Sequence, residues 1–157
     1  MVKVGDAYYW YGEDRSNGYD NSPGVHAYMS TDLYNWTDLG GALRAVTSKS
    51  QLTDKSNADY AYFDKAYNLT KSDGSVDAAK ADAIFPYLNT NPDQDGDGAV
   101  DSVQGIFERP KIIYNKKNKQ YVLWWHSDGS TTPGGSNYAR ALAGVAVSDN
   151  PAGPFTM

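Results

Sequence analysis

A short pattern of strand-forming residues occurs twice in this chain and restricts the fold more than any other feature. The first copy runs through Val2-Lys3-Val4, a Gly5-Asp6 turn, the stretch DAYYWYGE at 6–13 and Val25-His26-Ala27-Tyr28-Met29-Ser30. The second runs through a strand at 111–114, a turn at 115–119, a strand at 120–126 and another at 143–148. Gly-Asp between strand formers signals a tight hairpin. Laid together without gaps, Tyr8 matches Tyr121, Tyr11 matches Trp124 and Glu13 matches His126. Each copy closes with Ser, then Asp, then a turn that reaches a large aromatic, Trp36 or Phe155. A hairpin with further antiparallel strands and an aromatic closure, repeated along the chain, predicts an all-β fold made of β-propeller blades. An ordinary antiparallel sandwich is the competing architecture.

On this reading residues 1–41 form a first blade, 107–157 a second, and 42–106 an insertion. Ser75 followed by 76–85 reads as a capped short helix stopped by Pro86, and 57–67 as a second helical stretch. Two blades cannot close a ring, because repeat architectures need about three units to bury their faces. The chain is therefore expected to be part of a longer propeller, completed by further blades or by another chain.

The insertion carries an acidic loop, Asp93-Gln94-Asp95-Gly96-Asp97-Gly98-Ala99-Val100-Asp101. It sets carboxylates at the first, third, fifth and ninth positions of a calcium loop, with Gly98 at the sharp turn and the Ala99 carbonyl at the seventh position. The twelfth residue is Gln104 rather than the bidentate glutamate of an EF-hand, so a strong ligand is missing or comes from elsewhere. A structural Ca²⁺ held by Asp93, Asp95, Asp97, Ala99 and Asp101 is one reading, and a solvated acidic turn is the other.

Charge and composition narrow the partners. The net charge is −5, and the lysines at 116, 117 and 119 sit in a turn, which disfavours a nucleic-acid backbone. No apolar run approaches the roughly 20 residues that cross a bilayer. The chain lacks cysteine, which excludes disulfides and thiolate metal sites. Met1 leads straight into a strand, so secretion would require a leader that this sequence does not carry. Thirteen Tyr and four Trp supply flat faces with hydrogen-bonding edges, suited to an oligo- or polysaccharide as well as to a β core.

The chemistry gathers at strand ends. Glu108-Arg109-Pro110-Lys111 places a carboxylate and a guanidinium immediately before a strand, and Trp124-Trp125-His126 ends the next one. Such a pair is costly to hold unless something polar meets it, and a sugar suits the surrounding aromatics. Glu108 with Arg109 can equally be a salt bridge closing the blade, Glu13 a solvated strand end, and His126 an edge histidine. Tyr138 and Arg140 lie in a loop rich in Gly, Ser and Asn that can reach the same place. Trp10 and Trp124, at strand centres, read as core.

These residues also carry a family resemblance. The stretch 2–13 with Ser30-Thr31-Asp32-Leu33-Tyr34-Asn35-Trp36 resembles the first blade of glycoside hydrolase family 43. Residues 108–111, Trp124-Trp125-His126 and Gly144-Val145-Ala146-Val147-Ser148-Asp149 resemble its second blade. The likeness is greatest to the branch containing exo-β-1,3-galactanases and leaves out the insertion. It implies a five-bladed propeller whose central funnel binds a terminal galactose-type sugar of a plant-type polysaccharide. It implies inverting hydrolysis, with one protonated carboxyl group and an opposing group that activates water. Glu108 would then assist or tune the catalytic acid, with Glu13, His126, Arg109 and Tyr138 binding substrate. The acid itself would come from a later blade and the base from outside this segment, so this chain would carry half a site. The implied setting is extracellular or the cell envelope. A calcium-stabilised, non-catalytic carbohydrate-binding propeller is the alternative.

Overall fold

The computed structural model describes residues 1–18, 21–91 and 105–157. A first antiparallel sheet is built in order from β1 (Val2–Val4), β2 (Ala7–Glu13), β3 (Gly24–Ser30) and β4 (Thr37–Arg44). Three short helices follow, α1 (Ser50–Thr53), α2 (Tyr60–Tyr67) and α3 (Ala78–Leu88). A second antiparallel sheet then runs through β5 (Ile106–Asn115), β6 (Gln120–Asp128) and β7 (Leu142–Ser148). No helix among the described residues is long and apolar enough to cross a membrane.

The repeat seen in the sequence is also a repeat in strand register. Tyr8 pairs with Ser30 on β3, and Tyr121 pairs with Ser148 on β7, so Tyr8 and Tyr121 occupy equivalent places. The hairpins that precede them close at Val4–Ala7 and Asn115–Gln120. Both sheets then turn on the serine hydroxyl. Ser30 Oγ accepts the Leu33 N–H at 2.8 Å, and Ser148 Oγ accepts the Asn150 N–H at 3.1 Å.

The two sheets nevertheless bury opposite faces. On β2 it is Tyr11, supported by Tyr9, that enters the shared core; on β6 it is Tyr121, Leu123 and Trp125. By register the equivalents of Tyr121, Leu123 and Trp125 are Tyr8, Trp10 and Gly12, the open side of the first sheet. Two sheets related by a two-fold axis would bury the same positions. Sheets stacked one behind the other bury alternate faces, which is how propeller blades pack. Phe155 closes the core at 1% exposure, its amide bonded to the Ala42 carbonyl at 2.8 Å, whereas Trp36 packs edge-on against Trp10 on the open side.

Three expectations are corrected here. Trp10 and Trp124 are 49% and 44% exposed, because strand alternation gives the core to their neighbours Tyr11 and Trp125. The helix expected to end at Pro86 runs on to Leu88, since a proline in the last turn removes only one intrahelical bond. Its cap is Asp77, which accepts the Lys80 N–H at 3.1 Å, while the Ser75 hydroxyl turns back to Asp73. The helices enclose their own small core of Val46, Leu52, Tyr60, Phe63, Leu69, Ala81 and Leu88.

Candidate functional site

The site grows out of an irregularity in β5. Glu108 pairs with His126 and Lys111 with Trp124, so three steps on β5 face two on β6 and one residue bulges out. Arg109 takes the strain, with φ of +53°, and Pro110 has no N–H to lose from the ladder. The bulge turns the Arg109 amide toward the first sheet, where it donates to Glu13 Oε1 at 2.7 Å. Glu13 ends β2 on the side of Tyr11, facing the second sheet.

Arg15 bridges the two sheets. Its Nη2 lies 2.5 Å from Glu13 Oε2 and 3.2 Å from Glu108 Oε1. The cation offsets the repulsion between two carboxylates brought close together. The Glu108–Arg109 salt bridge, one of the two readings of this pair, is not among the described contacts: Arg109 is exposed on the left-handed bulge, and Arg15 meets Glu108 instead.

Glu108 is 5% exposed, and its partners converge from three segments. Tyr138 donates its hydroxyl to Oε1 at 2.6 Å, and His126 Nδ1 lies 3.1 Å from Oε2. The other imidazole nitrogen, Nε2, is 2.9 Å from Asp128 Oδ2. Asp128 Oδ1 accepts the backbone N–H groups of Gly129 at 2.9 Å, Arg140 at 2.9 Å and Ala141 at 3.1 Å. Burial alone would raise the Asp128 carboxyl, but these donors and His126 together hold it below the usual carboxylate range. Arg15 is moved the other way: desolvation would lower it, and Glu13 and Glu108 more than compensate.

Four of the residues singled out from the sequence, Glu13, Glu108, His126 and Tyr138, therefore meet in one polar cluster. Arg109 joins through its backbone. Arg140 contributes its amide to Asp128. Asp93, Asp95, Asp97, Ala99 and Asp101 lie outside the described residues. Among the described residues no group of three or more acidic or histidine side chains is arranged to hold a metal ion. Arg15 and Asp128 were missed. The spacing of His126 and Asp128, two apart on a strand and so on one face, is the signal that points to Asp128.

Stacked antiparallel blades with a polar cluster where they adjoin are the build of a β-propeller, and comparison with known proteins agrees. No protein-family model and no curated protein matches the chain, but solved structures do. An exo-β-1,3-galactanase from Phanerochaete chrysosporium, solved with galactose, is 28% identical with a TM-score of 0.58, covering 99% of this chain and 23% of its own. One from Clostridium thermocellum is 28% identical with a TM-score of 0.53, covering 99% and 22%. A β-1,3-galactosidase of glycoside hydrolase family 43 is 27% identical with a TM-score of 0.56, covering 99% and 22%. The resemblance to family 43, and to its exo-β-1,3-galactanases in particular, thus extends to solved structures that align with 99% of the chain. The chain spans less than a quarter of the length of these three structures.

Proposed function

We propose that this chain supplies two blades and one wall of the sugar pocket of an exo-acting glycoside hydrolase that removes terminal galactose-type units from β-1,3-linked, plant-type polysaccharide. The observation that carries this reading is the meeting of Glu13, Arg15, Glu108, His126 and Tyr138 where the two sheets adjoin. It is supported by the matched structures, one of which holds galactose and another β-1,3-galactotriose. Carboxylates, a guanidinium, an imidazole and a phenol can fix the hydroxyls of one sugar from several directions at once.

Hydrolysis with inversion needs a proton donor at the scissile oxygen and a base for water on the opposite face. Glu108 is committed to Tyr138, Arg15 and His126, which suits an assisting or orienting carboxylate better than the donor itself. Glu13, His126, Arg109 and Tyr138 would hold the sugar, and the acid and base would come from other blades. The same reading places the protein outside the cell or in its envelope. It also assigns Asp93, Asp95, Asp97, the Ala99 carbonyl and Asp101 to a structural Ca²⁺, so excess Ca²⁺ should raise the melting temperature; an unchanged temperature would remove the metal from the reading.

The test of function is Glu108→Gln in the full-length protein. Release of galactose from β-1,3-galactan should fall by about two orders of magnitude. Wild-type release would overturn the assignment. The commitment of both Glu13 and Glu108 to Arg15 also suits a carbohydrate-binding propeller without catalysis. Calorimetric binding of β-1,3-galactobiose with no sugar released on long incubation would select that alternative.

A further inference from the structure

His126 stands between two carboxylates, and each ring nitrogen faces one of them. A neutral imidazole can donate to only one side and must turn a lone pair to the other. Asp128 is the stronger acceptor of the two, because Glu108 already meets the Arg15 cation and the Tyr138 hydroxyl whereas Asp128 meets only neutral backbone donors besides the ring. Its Oδ1 is occupied by three backbone N–H groups and the residue is 3% exposed, so Oδ2 is an acceptor aimed at Nε2.

We propose that Asp128 is a positioning residue that locks His126 in its Nε2–H form, so that the contact between Nδ1 and Glu108 exists only while it carries a proton. Among the described residues these groups surround the ring. Glu108 comes from β5, Asp128 from β6 and the Tyr138 hydroxyl from the loop between β6 and β7; Arg15 and Glu13 of the first sheet stand behind Glu108. With the second proton on the ring or shared with Glu108, every contact pairs a donor with an acceptor. When that proton leaves to solvent, the Nδ1 lone pair faces a carboxylate, and Glu108 loses the support that sets its orientation. Asp128 also fastens both ends of the segment bearing Tyr138, through Gly129 on one side and Arg140 and Ala141 on the other. One carboxylate thus holds two of the groups that meet Glu108. The consequence for sugar binding rests on the galactoside reading above; the proton arrangement itself does not.

Ring ¹⁵N NMR on the ligand-free full-length protein reads the arrangement directly, and calorimetric titration with galactose reads its consequence. In the wild type, Nε2 should keep its proton at every pH while Nδ1 loses one, and affinity should fall about tenfold as it does so. Asp128→Asn keeps an oxygen for the backbone donors but presents an NH₂ group to Nε2. The neutral ring should then carry its proton on Nδ1 and donate to Glu108 unaided, so affinity loses its pH dependence. A neutral wild-type ring protonated on Nδ1 would overturn the proposal, and so would a variant that retains the wild-type pH dependence. A wild-type ring protonated on Nε2 in a protein that binds no galactose at any pH supports the proton arrangement and overturns the galactoside reading instead.

Discussion

Gly144 shows how narrowly single residues are specified. It pairs with Trp125 across β6 and β7, and a Cβ built on it would lie 2.0 Å from the indole Cε2. Trp125 is itself stacked on Phe107 with ring centroids 5.6 Å apart, so it has nowhere to retreat. Gly144→Ala should lower stability by about 1–3 kcal/mol, measured by denaturant melts followed by tryptophan fluorescence. Asp128 makes a different prediction. Its carboxyl is held below the usual range in the folded chain, so its contribution is present above the unfolded carboxylate value and lost as pH falls through the folded one. Melting temperature should drop on acidification below about pH 4, with a shallower drop in Asp128→Asn. Glu13, Glu108 and His126 were legible in the sequence as polar residues beside aromatic strand formers, but only Glu13 ends its strand. Glu108, expected just before a strand, lies inside β5, and His126, expected to end one, lies inside β6, because both strands run further than their apolar cores. Arg15 was not legible, and for Asp128 the sequence offers only its place two residues beyond His126 on one strand face, not its burial. Asp128 is buried by amides 12 and 13 residues further on, a tertiary fact that no local pattern carries.

Among the elements, the strands that repeat were readable and the one that does not repeat was missed. β4 contains Gly40-Gly41, whose low strand propensity conceals it, and its pairing with β3 is broken by two register shifts. Of the insertion helices α2 and α3 announced themselves and the four-residue α1 did not, and the ends of α3 were misplaced. Ser75 and Asp77 both have capping side chains, and only the chain path toward Lys80 selects Asp77. Asp77→Ala should cost about 1 kcal/mol, whereas Ser75→Ala should cost little, as thermal melts of the two variants would show. A larger loss from Ser75→Ala would contradict the cap assignment.

At the scale of the molecule, each sheet has one face in the shared core and one open. On the first sheet the open face carries Trp10 stacked on Tyr28 at 5.2 Å; on the second it carries Trp124 and Val145. A polypeptide of residues 1–157 alone should self-associate with rising concentration, and Trp10→Glu or Trp124→Glu should weaken that association in sedimentation runs. Monomeric behaviour at all concentrations would count against open faces of this kind. The alternating burial has a further consequence. Since one sheet offers its Tyr11 side and the next its Trp125 side, the stack has a front and a back, like stairs rather than a mirror pair. A directional stack of this kind gains no end from symmetry, because two fronts do not fit each other. A propeller ends such a stack by curving round until a back meets a front. The Trp10 face is therefore shaped to meet a surface of the Trp124 kind rather than another copy of itself.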